Sequence, residues 1–148
     1  MHSRGVIHCD IKLDNIVLDE ALKTPILLDF ELSKEANDRL DGSLVAQSTL
    51  LHGTMAYWAP ELRSGEQKRP TDKSDVFALG RVLYELFFPG SLRLLDAIIH
   101  QSQLTFSSNY ERINIASLRS LISGMLDSDP SDRLTAAAAL NHSFFTGA

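Results

Sequence analysis

The sequence predicts an α+β domain that is mainly helical, and two observations carry that prediction. The first third alternates short apolar runs with polar turns, whereas beyond Pro70 apolar residues recur at three- and four-residue spacing. The runs Val6-Ile7, Ile16-Val17-Leu18 and Ile26-Leu27-Leu28 are expected to form short, hairpin-like strands. Residues 33–54 carry scattered leucines with neither period, which predicts a long loop. Thr71 and Asp72 are good N-cap types ahead of Val76, Leu79, Val82, Leu83, Leu86 and Phe87, and Pro89-Gly90 supplies a stop. Gly80 costs that helix about 1 kcal/mol relative to alanine, so it requires a packing reason. Leu92, Leu95 and Ile99 suggest another helix, Leu118, Leu121, Ile122, Met125 and Leu126 a stronger one, and residues 136–144 a last one.

With 148 residues, 44% hydrophobic and 22% charged, the chain has the length and composition of one globular domain, which excludes disorder and collagen-like repeats. Its single cysteine, Cys9, excludes an intramolecular disulfide. Fourteen Lys and Arg against nineteen Asp and Glu leave a net charge of -5, so nucleic acid and anionic membrane are not expected partners. The most apolar stretch, residues 76–88, is interrupted by Gly80, Arg81 and Glu85 and is too short to span a bilayer. Residues 1–5 are followed by too few apolar residues for a signal peptide. The expectation is an intracellular, cytoplasmic protein.

The chemistry-bearing residues begin at His8-Cys9-Asp10-Ile11-Lys12-Leu13-Asp14-Asn15, between two expected strands. Leu28-Asp29-Phe30-Glu31 follows, then Gly53-Thr54-Met55-Ala56-Tyr57-Trp58-Ala59-Pro60-Glu61 closes the long loop. Asp75-Val76-Phe77-Ala78-Leu79-Gly80 opens the first long helix, and Asp129-Pro130-Ser131-Asp132-Arg133 precedes the last. Five elements in this order resemble the eukaryotic-type protein kinase superfamily, from its catalytic loop through its Asp-Phe-Gly element and activation-segment ending to the helical body. Lys12 and Thr54 resemble the serine/threonine branch.

The resemblance implies the kinase C-terminal lobe over residues 1–148, with short β-hairpins at the catalytic loop and a helical body behind them. It implies ATP and Mg2+ as cofactors and a protein as substrate or partner. Phosphoryl transfer needs positioning and charge stabilisation more than covalent work. By resemblance, Asp10 would accept the substrate hydroxyl proton and Lys12 would sit by the transferred phosphate. Asn15 and Asp29 would offer hard oxygen ligands to magnesium, which is bound chiefly through nucleotide phosphates. Glu61 and Arg133 are expected to form an internal ion pair, Asp75 to hold the catalytic-loop backbone, and His8 to be a packed structural histidine. The five histidines show no metal-ligand spacing, and the Asn141-His142-Ser143 sequon fits a helix end rather than a glycosylation site.

Three departures from the family bear on activity. The Gly-rich loop, strand lysine and helix glutamate that cradle the nucleotide have no counterpart here, so an N-terminal lobe is not expected within the chain. The chain would also lack most of a helix ahead of residues 1–5, exposing apolar surface on the helices that carry Val76 and Leu118 for a partner to cover. Ser48 and Thr49 lie where activation-loop phosphorylation often occurs in the family, and Cys9 replaces the arginine that pairs with such a phosphate, so phosphorylation at Thr49 gains less order. Negative charge near Cys9 should raise the thiol pKa and blunt its reactivity. Glu31 replaces a glycine, and a positive φ there would cost about 1–2 kcal/mol. Two readings follow: a truncated serine/threonine kinase domain, or a pseudokinase-like module that binds a protein without catalysis.

Overall fold

The computed structural model describes residues 1–36, 54–65, 69–90 and 115–147. A 3-10 turn at His2–Arg4 precedes strand β1 (Val6–Ile7), and a second at Leu13–Asn15 leads into β2 (Ile16–Asp19) and β3 (Thr24–Leu27). Strand β4 (Lys34–Glu35) follows, then a 3-10 turn at Thr54–Tyr57 and helices α1 (Pro60–Arg63), α2 (Asp72–Phe87), α3 (Ile115–Met125), α4 (Ala136–Leu140) and α5 (Ser143–Thr146). Small sheets and helices are the mixture that the sequence predicts.

Strands β2 and β3 pair antiparallel, with Ile16 opposite Leu27 and Asp19 opposite Thr24. Asp19 closes their turn by accepting from the Ala21 and Leu22 amides at 2.9 and 3.0 Å, and Lys23 takes a left-handed φ of 52°. Strand β1 pairs instead with β4, Val6 opposite Glu35 and Ile7 opposite Lys34. That strand corrects the loop expected from residue 33 onward: two residues carry no detectable period, and the pairing is imposed from 27 and 29 residues away by the open edge of β1. The expected helix at Leu92, Leu95 and Ile99, and Ser48 and Thr49, lie outside the described residues.

Helix α2 starts where Thr71 predicts. The Thr71 hydroxyl accepts from the Ser74 amide at 3.3 Å while the Ser74 hydroxyl accepts from the Thr71 amide at 2.8 Å, a reciprocal cap that fixes the first turn. Its apolar face is buried against α3: Phe77 and Tyr84 cluster with Leu118, Ile122 and Leu126, and Val76 with Leu121 and Met125. The residues facing α3 are therefore covered, while Val76 and Leu79 of α2 also line an apolar groove, so the expected exposure is met in part. Exposed apolar area lies on the β2–β3 hairpin, where Leu18 and Leu22 are 60% and 71% exposed, and on the helices at Leu86, Leu140 and Phe145.

Gly80 has the packing reason it needed. A Cβ at this position would stand 3.0 Å from both Met125 Cβ and Leu126 Cδ2, so the glycine sets how closely α2 and α3 approach. Gly80→Ala should leave stability within about 1 kcal/mol, because better helix propensity offsets the clash. Gly80→Val, larger and β-branched, should lower it by about 2–3 kcal/mol. A valine variant with the wild-type urea midpoint would show that the helix spacing is set elsewhere.

The helix expected over residues 136–144 is two helices. His142 takes an extended ψ of 149° and caps α5, its Nδ1 accepting from the Phe144 amide at 3.2 Å, while Asn141 Nδ2 donates back to the Ala137 carbonyl at 3.0 Å. Polar side chains here compete with the helical ladder and break it. Helix α1, also unanticipated, begins at Pro60, whose missing N–H costs nothing in a first turn. An apolar groove of about 770 Å³ runs between the chain start, β2–β3 and α4, lined in part by Met1, Ile16, Leu27, Leu79 and Leu140. Among the described residues, no helix is long and apolar enough to cross a membrane.

Candidate active site

Residues 8–15 cross from β1 to β2, and a carboxylate from α2 fixes their path. Asp75, buried in the first turns of α2, accepts from the His8 amide at 2.8 Å and the Cys9 amide at 3.0 Å. His2 Nε2 lies 2.9 Å from the same carboxylate. Both residue positions of the loop thus point their N–H groups one way, and Cys9 takes a left-handed φ of 70° to allow it. The expected structural role of Asp75 is what the geometry displays.

His8 is fully buried. Its Nδ1 accepts from the Asp10 amide at 3.3 Å, which leaves Nε2–H to donate to the Leu28 carbonyl at 3.0 Å. Its ring meets Phe30 edge-on at 4.7 Å, and its carbonyl accepts from the Ser33 hydroxyl. The histidine joins residues 8–10 to residues 28–33, as a packed structural histidine should.

Asp10, Lys12 and Asn15 come together. Lys12 Nζ donates to Asp10 Oδ2 at 2.7 Å, and Asn15 Nδ2 donates to the same oxygen at 3.1 Å and to the Asp10 carbonyl at 2.9 Å. Asp10 Oδ1 is buried and has no hydrogen-bond partner among the described residues. A buried carboxylate oxygen left unpartnered is costly, and it marks a position where a donor is wanted. Asp29 stands apart: its carboxylate accepts from the Glu31 amide at 3.3 Å and makes no hydrogen bond to the other three among the described residues. Backbone ties bring its strand end alongside them, since the Leu28 amide donates to the Asn15 carbonyl at 2.8 Å.

The strain expected at Glu31 lies at Asp29 instead, with φ 60°, while Glu31 keeps a negative φ. Aspartate tolerates the left-handed region better than most residues because its short side chain bonds to its own turn. Burial, then the charge of Asp75, pushes the Cys9 thiol up to about 12, against the opposing influence of Lys34. The thiol therefore stays protonated and unreactive. The expected direction was right, with burial as the larger cause.

Glu61 and Arg133 form the expected pair, fully buried. The guanidinium donates to Glu61 Oε1 and Oε2 at 2.7 and 2.9 Å, to the Lys73 carbonyl at 2.9 Å and to the Asp127 carbonyl at 2.9 Å, and it stacks 4.9 Å from the centre of the Phe77 ring. Lys73 Nζ in turn donates to the Arg133 carbonyl. Asp129, accepting from the Ser131 hydroxyl and amide, is held below the usual carboxylate range. Its contribution is present above that range and is lost as pH falls through the lowered value. His2 and the Tyr57 hydroxyl, which donates to Glu85 at 2.6 Å, were not singled out in the sequence. No local spacing connects either to its partner.

Asn15 spends its amide nitrogen on Asp10, which leaves its oxygen for a cation, and Asp29 adds an exposed carboxylate. Hard oxygens suit magnesium. Among the described residues no group of three or more His, Cys, Asp or Glu could hold a metal.

In this mixed domain a helix carboxylate orders a strand-flanked Asp-Lys-Asn loop. The chain belongs to the protein kinase domain family, whose model matches residues 1–145. It is 32% identical to the serine/threonine-protein kinase PKH1 of Saccharomyces cerevisiae, across 98% of this chain and 20% of that protein. It is 32% identical to serine/threonine-protein kinase D of Synechocystis, across 95% of this chain and 27% of that protein. It is 33% identical to serine/threonine-protein kinase ksg1 of Schizosaccharomyces pombe, across 99% of this chain and 26% of that protein. The chain thus spans between a fifth and about a quarter of the length of these relatives. ATP binding and transferase activity are the family's properties.

Proposed function

We propose that the chain is the C-terminal lobe of a protein serine/threonine kinase domain, the part that carries the catalytic loop, and that it serves transfer of the γ-phosphoryl group of MgATP to a protein hydroxyl. The observation that carries this is the divided carboxylate of Asp10: Oδ2 is held by Lys12 and Asn15, while the buried Oδ1 is left to accept one more hydrogen bond. A substrate hydroxyl donating to Oδ1 would pass its proton there as its oxygen bonds to the γ-phosphorus. The bond from that phosphorus to the bridging oxygen breaks, and ADP leaves. Lys12 would offset the charge of the transferring group, and Asn15 and Asp29 would hold a magnesium ion, which would supply charge neutralisation to the phosphates.

Nucleotide titration tests the reading. MgATP at about 100 times its Kd should stabilise the chain by about 2.7 kcal/mol and raise Tm by several degrees. ATP with the magnesium chelated should do much less, and Asp29→Ala should remove the shift. An unchanged Tm in millimolar MgATP would count against nucleotide binding by this lobe. The apolar groove at the chain start supports the second reading, a non-catalytic module held by a protein partner. That reading gains if MgATP fails to stabilise the chain.

A further inference from the structure

Helix α5 is held by a side chain that can change its charge. His142 stands between α4 and α5, and its two ring nitrogens are used in opposite ways. Nδ1 accepts from the Phe144 amide at 3.2 Å, so it carries no proton. Nε2 therefore bears the hydrogen and donates to the Ser120 hydroxyl, on α3, at 3.2 Å. The His142 carbonyl accepts from the Phe145 amide at 2.9 Å and the Thr146 amide at 3.2 Å, which completes the first turn of α5. Phe144, whose amide the ring caps, packs on both buried clusters between α2 and α3. One imidazole thus starts α5, ties it to α3 and seats the Phe144 ring.

We propose that His142 is an acid-sensitive latch: its neutral ring holds α5 on α3, and protonation lets α5 and Phe144 come away. The latch works whether or not the chain transfers phosphate. An imidazolium donates from both nitrogens and accepts at neither. Its Nδ1–H would meet the Phe144 N–H, donor against donor, so the amide loses its acceptor and the ring turns away from Ser120. Among the described residues no carboxylate pairs with the ring to compensate. Its partner on α3, Ser120, is neutral, as are its chain neighbours Asn141 and Ser143, and Arg119 beside Ser120 adds a like charge. The end of α4 and the start of α5 meet at His142, so their opposite partial charges offset and the hydrogen bonds decide. His8 uses its Nδ1 in the same way but is fully buried, whereas His142 is half-buried and open to solvent protons. Docked α5 binds fewer protons than released α5. Docking is therefore strong above the range in which histidine titrates and is lost as pH falls through it.

Amide exchange of the full chain at about pH 8 and about pH 5, corrected for the intrinsic rate at each pH, tests the latch. Protection at Phe144, Phe145, Thr146 and Gly147, whose amide bonds build α5, should fall about fivefold or more on acidification, while amides in the middle of α2 and α3 keep theirs. His142→Asn supplies an oxygen that caps the helix without titrating, so its α5 protection should be the same at both pH values. His142→Ala should be poorly protected at both. Ser120→Ala removes the tie to α3 but not the titrating group, and should still lose α5 protection in acid. Nitrogen NMR of the imidazole at the higher pH should find Nδ1 without a proton. A wild-type α5 indifferent to pH, an equal acid loss in His142→Asn, a matching loss across α2 and α3, or a proton on Nδ1 would each overturn the proposal.

Discussion

Glu61→Ala is expected to destabilise the chain by about 3–5 kcal/mol, a large part of the 5–15 kcal/mol that holds an ordinary domain together. The reason lies in what stays behind. Arg133 is 1% exposed and would keep its charge without its carboxylate, retaining among the described residues the Lys73 and Asp127 carbonyls and the Phe77 ring. Glu61→Gln, which keeps one acceptor, should fall between wild type and alanine. Arg133→Lys should resemble the alanine variant, because an ammonium cannot match the two-pronged geometry or reach all three acceptors at once. Urea denaturation measures all three, and a Glu61→Ala midpoint equal to that of the wild type would show that the pair contributes nothing.

Asp10→Asn is expected to reduce phosphoryl transfer by about 10²–10⁴-fold while leaving the fold within about 1 kcal/mol of wild type. The amide oxygen of the variant can still accept from Lys12 and Asn15. Its NH2 group then occupies the position of Oδ1, where it donates instead of accepting and repels a substrate hydroxyl that must give up its proton. Single-turnover transfer from MgATP to a serine peptide separates this from altered binding. Retention of more than about a tenth of the wild-type rate would remove Asp10 from the role of proton acceptor.

What the sequence discloses depends on how far apart the cooperating residues lie. Asp10, Lys12 and Asn15 meet within six positions, so their spacing already implies a shared site, and α2 and α3 bury stripes whose period shows along the chain. Glu61 and Arg133 stand 72 positions apart, and only resemblance to a family pointed to their union. Tyr57 and Glu85 had no such pointer. The two-residue β4 and the break between α4 and α5 were illegible for another reason: pairing with β1 decides the first, and the His142 and Asn141 side chains decide the second. At Glu31 the sequence misplaced the strain by two residues, because the composition of a turn does not say which of its residues turns left-handed.

Asp75 has a bearing on the order in which the chain folds. It grips the His8 and Cys9 amides from 67 and 66 residues downstream, and His2 from 73. Contacts this distant in sequence require a large loop to close before they return any stability, so they form late. The α2–α3 contacts span fewer positions than these, whereas the path of residues 8 and 9 is not fixed until the first turns of α2 exist. Translation runs the other way: the ribosome releases the Asp10 loop before its fastener. During synthesis the segment that would do the chemistry waits, unshaped, for a helix not yet made.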